Sequence, residues 1–153
     1  MDLSALRDTL DINIDFHEAY FNGDLKKASN LLRNEREEFD VTKLDKRQTL
    51  CLTVKNKHEE MVKVLLKIGV NINQQDTNNE TPLHLACGSN ASLTITKLLL
   101  DNGASTKTTN HCGFTPLHSA CMYGKSKIVK TLLQHHANID TPGMTPLHIA
   151  CVS

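Results

Sequence analysis

Three short stretches of this 153-residue chain are almost identical: Thr81-Pro-Leu-His-Leu-Ala-Cys87, Thr115-Pro-Leu-His-Ser-Ala-Cys121 and Thr145-Pro-Leu-His-Ile-Ala-Cys151. Successive copies begin 34 and then 30 residues apart. A period in this range is typical of stacked repeats, in which each unit is one small supersecondary element. Each copy also holds a His and a Cys three residues apart, and these could be metal ligands, a catalytic pair or structural residues.

Two weaker copies lie upstream of the three clear ones. Gln48-Thr-Leu-Cys-Leu-Thr-Val54 begins 33 residues before Thr81 but lacks both the Pro and the His. Further upstream, Phe16-His-Glu-Ala-Tyr-Phe-Asn-Gly23 aligns with Leu117-His-Ser-Ala-Cys-Met-Tyr-Gly124. We therefore predict a leading segment at 1–14 and a repeat array at 15–153, with repeats that start near 15, 48, 81, 115 and 145.

Each copy carries the signals for a pair of helices. Thr followed by Pro begins a helix, because Thr caps free N–H groups and Pro fits the first helical position. Leu83, Ala86 and Cys87 then form an apolar stripe on the short first helix. A second helix is clearest over 60–69, where helical spacing predicts one buried face, formed by Met61, Val64, Leu65 and Ile68.

A left-handed residue is expected where each second helix ends. Gly69 and Gly103 occupy this position, as is common at helix C-termini. His136 occupies it in the next copy, four residues beyond Leu132. We therefore predict a positive φ at His136, although a left-handed conformation costs a non-glycine residue roughly 1 kcal/mol.

With this pattern the chain resembles the ankyrin repeat family, whose signature is Thr-Pro-Leu-His-x-Ala at a period of about 33 residues. The resemblance implies an all-α solenoid of stacked antiparallel helix pairs, with β-hairpin-like turns. Asp140-Thr-Pro-Gly143 is three residues shorter than a turn of that family, so we expect a truncated tip with the Thr145 helix docked normally. The fifth repeat is truncated after its inner helix. We therefore expect Ile149 and Val152 to be poorly shielded, and the chain to be a fragment or short isoform of a longer protein. The alternative is that a dimer partner or binding protein covers this end.

A metal site and a catalytic pair are the alternatives to a structural role for the His/Cys pairs. Zinc needs four ligand atoms at about 2.0–2.3 Å, whereas equivalent positions on packed helices lie about 8–10 Å apart. A catalytic thiol needs one activated cysteine in a cleft, not a pair that recurs at a periodic position. The resemblance implies that His84, His118 and His148 link neighbouring repeats by hydrogen bonds. We assign no catalytic, cofactor or metal residues, and a zinc- or thiol-dependent activity remains the alternative.

Composition and charge favour neither nucleic acid nor membrane as a partner. Lysine and arginine together number 17, as do aspartate and glutamate. The N-terminus lacks the basic start and apolar run of a signal peptide, and no apolar run approaches the ~20 residues that span a bilayer. The odd number of cysteines, five, favours free thiols in a reducing compartment, the cytoplasm or the nucleus.

By the same resemblance, the chain is expected to bind a protein partner through turn tips and the concave face of the inner helices. Because such arrays often precede an effector domain, a substrate-recruiting adaptor of a longer protein, such as a ubiquitin ligase receptor, is the alternative. Phe114, Met122 and Tyr123 stand out, since aromatic anchors are enriched in binding hot spots, although local packing of turn against helix explains them equally well. The predicted partner-binding residues are Lys55, Asn56, Thr77, Asn78, Glu80, Ser89, His111, Phe114, Met122 and Tyr123.

Overall fold

The computed structural model describes residues 49–67 and 69–140. In these ranges the chain forms six helices and no strand: α1 (Thr49–Lys55), α2 (Glu59–Lys67), α3 (Pro82–Cys87), α4 (Leu93–Asp101), α5 (Pro116–Met122) and α6 (Ser126–Gln134). Each odd-numbered helix packs against the helix that follows it. The inner helices α1, α3 and α5 also contact one another in turn, as do the outer helices α2, α4 and α6. The predicted all-α stack of helix pairs is therefore confirmed.

The Thr-Pro signal begins an inner helix as predicted. Thr81 has an extended backbone, and its side-chain oxygen accepts a hydrogen bond from the His84 N–H at 3.4 Å. Pro82 is the first residue of α3, where the missing N–H costs no helical hydrogen bond. The start of α3 is therefore specified by the sequence of its first turn, before any contact with another repeat.

The core lies between the inner and outer layers. Leu83, Leu99 and Leu132 are fully buried, and each contributes roughly 1.5–3 kcal/mol through removal of its side chain from water. The prediction for α2 was wrong at one position: Val62 is fully buried, and Val64 is only half-buried. Because α2 contacts both α1 and α4, its buried arc is wider than one amphipathic stripe.

The outer helices end in left-handed residues. Gly69 and Gly103 have φ of 81° and 85°, and His136 has φ of 59°, so the prediction for His136 is confirmed. The chain then turns back, and the N–H of the next residue bonds the carbonyl five positions earlier, at 3.0 Å for both Ala104 and Ala137. Lys57 (φ 58°) and Asn79 (φ 56°) share this conformation, which the sequence did not predict.

Several sequence predictions lie outside the described residues. They concern the leading segment, the repeat near 15, Ile68, the truncated tip at 141–143, His148 and the exposure of Ile149 and Val152. Within the described ranges, every helix is too short or too polar to cross a lipid bilayer.

Candidate functional site

The His84 side chain links its own helix to the next repeat. The Thr81 N–H lies 3.2 Å from His84 Nδ1, and since an N–H can only donate, Nδ1 carries no proton. The Thr81 hydroxyl also lies 2.8 Å from Nδ1. Nε2 therefore carries the proton and donates to the Phe114 carbonyl oxygen at 2.9 Å. Burial lowers the pKa of His84, and the bond to Phe114 partly opposes this effect. The predicted structural role of His84 is confirmed.

His118 repeats the arrangement one copy later. Its Nδ1 lies 3.0 Å from the Thr115 nitrogen and 2.7 Å from the Thr115 hydroxyl. The imidazole is fully buried, and the Phe114 ring stacks on it with centroids 5.4 Å apart and planes at 7°. Phe114 is half-buried as a result. Local packing against His118 therefore explains much of the burial of Phe114, which was predicted to bind a partner.

Cys51 and Cys87 lie in buried surroundings that oppose thiolate formation. Burial raises the pKa of Cys87 to about 12, and a bond to the Thr96 side chain only partly opposes the rise. Burial, then the charges of Asp76 and Glu80, raise the pKa of Cys51 to about 12. Nucleophilic and metal-bound cysteines are thiolates, whose pKa is lowered instead. In 49–67 and 69–140, no group of three or more His, Cys, Asp or Glu side chains could hold a metal ion.

The turn tips between repeats bond to one another. The Asp76 carboxylate accepts the N–H groups of Asn78 and Glu80 at 2.8 and 2.9 Å, which shapes the first tip. From the next tip, the His111 backbone N–H donates to the Asn78 carbonyl at 3.2 Å, and its ring Nε2 lies 3.1 Å from the Thr77 carbonyl oxygen. His111, a predicted partner contact, therefore also joins two adjacent tips.

The predicted residues of the inner helices lie where each helix ends. Lys55, Asn56 and Ser89 are exposed, Met122 is half-buried and Tyr123 is 47% exposed. A Cβ added to Gly88 would lie 3.9 Å from Tyr123 Cε2, so the Tyr123 ring lies beside the place where Gly88 has no side chain. The Tyr123 ring, which follows α5, therefore lies beside the end of the neighbouring inner helix α3.

Three further residues of this face escaped the sequence prediction. Leu85 is the one residue of α3 that is not buried. Lys57 and Lys125 lie in the loops that follow α1 and α5, the first exposed and the second half-buried. No signal in the sequence pointed to Leu85, because both of its neighbours, His84 and Ala86, are buried and helical spacing does not set it apart from them.

An apolar groove of about 450 Å³ lies on the third helix pair. Leu133 in this groove is 39% exposed, whereas Leu100, which holds the same position in α4, is 7% exposed. In a stack of repeats, each repeat packs against the next through such an apolar face. Its lining residues are Leu117, Ala120, Cys121, Gly124, Lys125, Ser126, Val129, Lys130, Leu133 and Ile139.

Comparison with known families agrees with this geometry. The family described as ankyrin repeats, in three copies, matches residues 16–110 and 88–153. The chain belongs to the ankyrin repeat family.

The curated proteins that resemble this chain carry different names and differ in how much of their length the chain covers. A putative ankyrin repeat protein of fowlpox virus is 37% identical over an alignment of 121 positions that covers 73% of this chain and 35% of the viral protein. Protein phosphatase 1 regulatory subunit 27 of mouse is 32% identical over 60% of this chain and 58% of its own length. An E3 ubiquitin-protein ligase of Arabidopsis thaliana is 40% identical over 48% of this chain and 15% of the ligase. The chain thus spans about a third of the viral relative and less of the ligase.

Proposed function

We propose that this chain is a protein-interaction module without catalytic activity, and that it binds its partner through the turn tips and the exposed face of the inner helices. Membership of the ankyrin repeat family supports an interaction role. A mammalian relative named as a regulatory subunit of a phosphatase is consistent with it. The four described cysteines are free thiols, which favours a reducing compartment such as the cytoplasm or the nucleus.

One observation carries the proposal. Met122 and Tyr123 occupy the positions that Gly88 and Ser89 occupy in the preceding repeat. The preceding repeat folds with these two small residues, so the fold does not require large side chains there. Tyr123 nonetheless leaves 47% of its surface in water. An exposed aromatic residue that the fold does not need is typical of a binding hot spot.

The test replaces Tyr123 by the residue of the preceding repeat. Tyr123→Ser should abolish most of the partner capture seen with the intact chain, measured by quantitative affinity capture and mass spectrometry, while the melting temperature stays unchanged. Thr94→Ser is the matched control, because Thr94 is exposed on the outer helix α4. Equal capture by both variants and the intact chain would overturn the proposal. Phe114 is a poorer target, since its ring packs on His118.

A second candidate is substrate recruitment within a longer protein. The Arabidopsis ligase relative favours it, because its array is 40% identical to nearly half of this chain. If the array recruits substrates to a ligase, the 153-residue chain alone would compete with that ligase for the substrate. The half-life of the captured substrate in cells would then increase. A scaffold would leave that half-life unchanged, and a cycloheximide chase with the intact chain and Tyr123→Ser distinguishes the two.

A further inference from the structure

Charge is segregated on the described part of the array. The inner helices and the loops that follow them span 49–58, 81–92 and 115–125. These three segments contain Lys55, Lys57 and Lys125 but no aspartate or glutamate. None of the three lysines takes part in the two ion pairs of the described residues, which join Lys63 to Glu60 and His135 to Asp101. The exposed face of the inner helices therefore carries uncompensated positive charge.

The acidic side chains of the described residues lie on other parts of the array. Glu59 and Glu60 begin the outer helix α2, and Asp76 and Glu80 belong to a turn tip. The Asp76 carboxylate is occupied by backbone N–H groups, and Glu60 is bonded to Lys63 at 2.6 Å. Among the described residues, no ion pair joins any of these acids to Lys55, Lys57 or Lys125.

The same face also carries partly exposed apolar side chains. Leu85 and Met122 are half-buried, and Tyr123 stands over the vacant side-chain position of Gly88. Among the described residues, no hydrogen bond involves the Tyr123 hydroxyl. A large apolar side chain from a partner could pack against the Tyr123 ring, and the Tyr123 hydroxyl could form a hydrogen bond with a polar group of the partner.

The backbone at Lys57 is left-handed, a conformation that glycine adopts more readily than lysine. Lys57 and Gly124 occupy the same place in their repeats, and both are left-handed, with φ of 58° and 62°. Glycine adopts this conformation freely, whereas a side chain costs roughly 1 kcal/mol. Strain of this kind is retained mostly at functional positions. The first described repeat therefore carries a lysine side chain at a position where the third has glycine.

We propose that the inner-helix face binds an acidic protein segment that presents one large apolar side chain. The apolar side chain packs on Tyr123 above Gly88, and flanking carboxylates pair with Lys55, Lys57 and Lys125. Adjacent inner helices lie about 8–10 Å apart, so Lys55 and Tyr123, two helices apart, are separated by roughly 20 Å. About six extended residues cover this distance. The inference rests on the proposed interaction function and adds the chemistry of the partner.

Nucleic acid fits this surface less well. Three lysines neutralise at most three phosphates, and a surface that holds a duplex tightly makes about 6–10 such contacts. A single exposed tyrosine also provides one stacking platform, whereas single-strand binders use several.

The experiment selects peptides from a random 12-residue library displayed on phage, with the intact chain as bait. The enriched peptides should be acidic with one aromatic or large aliphatic residue. The best of them, labelled with fluorescein, should lose at least about tenfold in affinity on Lys55→Glu/Lys57→Glu/Lys125→Glu and on Tyr123→Ser, and should bind more weakly as salt rises. The matched control is Lys67→Glu/Lys97→Glu/Lys107→Glu, which changes the total charge equally on exposed residues away from this face and should change affinity less than twofold.

Each other outcome overturns the inference. Enrichment of neutral or basic peptides, or of peptides that bind the triple inner-face variant equally well, excludes an acidic partner but leaves the interaction function standing if Tyr123→Ser still abolishes partner capture. Tighter binding of a fluorescein-labelled single-stranded DNA 12-mer, with the same dependence on the three lysines, assigns the face to nucleic acid. Circular dichroism melts of every variant separate lost binding from lost folding.

Discussion

The link between the first and second described repeats differs from the link between the second and third. In the intact copy, His84 donates to the carbonyl oxygen of Phe114, the residue before the next Thr cap, at 2.9 Å. In the degenerate copy, Cys51 stands in the same register. Its sulfur lies 3.8 Å from the carbonyl oxygen of Glu80, the equivalent residue, and 3.6 Å from that of Gln74. Both helices are nonetheless buried alike, with Leu50 and Leu83 at 2% and 0% exposure. Apolar stacking thus suffices to join two repeats, and the histidine adds a strong polar bond to it.

Removal of the histidine should have the largest effect. His84→Ala leaves the Phe114 carbonyl and the Thr81 N–H without their partner and opens a cavity, so we expect a loss of about 2–4 kcal/mol in the free energy of unfolding. Cys51→Ala removes a weak bond and one sulfur atom and should cost about 1 kcal/mol. Urea denaturation of the two variants checks the difference. Equal losses would show that the histidine bond adds nothing to the stack.

The intact link should also be weakened by acid. Burial lowers the pKa of His84 in the folded state, so the unfolded chain binds a proton more readily. Stability contributed by neutral His84 is therefore present above the unfolded pKa of about 6.5 and is lost as pH falls towards the lower folded value. Melting temperatures between pH 7.5 and 5 should fall more steeply for the intact chain than for His84→Gln. Parallel curves would contradict a lowered pKa of His84 in the folded state.

The thiol of the degenerate link should respond to alkali instead. The pKa of Cys51 is raised from 9.0 to about 12, so the folded state keeps the thiol proton that the unfolded state releases above pH 9. Stability should fall as pH rises from 9 towards 12, because the unfolded chain then binds fewer protons. Cys51→Ser should reduce this slope in denaturation measured between pH 8 and 10, and an unchanged slope would rule out a buried neutral thiol.

Substitutions at the ends of the outer helices should have a smaller effect on stability. His136 is left-handed where the earlier copies have glycine, so His136→Gly should stabilise the chain by roughly 1 kcal/mol. Gly103→Ala is the reverse control, since an added Cβ there meets nothing within 4 Å and the cost is confined to the backbone. It should destabilise the chain by a similar amount. A loss of stability on His136→Gly would mean that the imidazole makes a compensating contact.

The turn tips should show the smallest difference. Asn79 and Gly113 hold the same left-handed position, with φ of 56° and 75°. Asparagine tolerates this conformation far better than most side chains, and its amide lies 3.5 Å from His111 Nδ1. Asn79→Gly should therefore change the free energy of unfolding by less than about 0.5 kcal/mol, as checked by thermal melts.

Most of the fold was predicted from the repeat motif. Each feature that the prediction missed has an identifiable physical cause. Thr81 and Pro82 mark a helix start through bonds within one turn, and His136 is left-handed because of its place after α6, so both were readable without the stack. Val62 was missed because helical spacing describes one buried stripe, whereas packing against two neighbours buries a wider arc. The role of Cys51 was missed because a cysteine gives no local signal that its sulfur will face a carbonyl 29 residues away.

The sequence by itself determined the helix pairs, their caps and the identity of the repeat, since these depend on residues within a few positions of one another. Only the tertiary structure decided which polar groups meet: His84 reaches a carbonyl 30 residues further on, and His111 crosses to the preceding tip. It also decided the exposure of the candidate site, where Phe114 is half-buried against His118 and Tyr123 stays in water. The physical reason is that burial and long-range bonding depend on the register in which whole repeats stack, and that register is set by many apolar contacts at once.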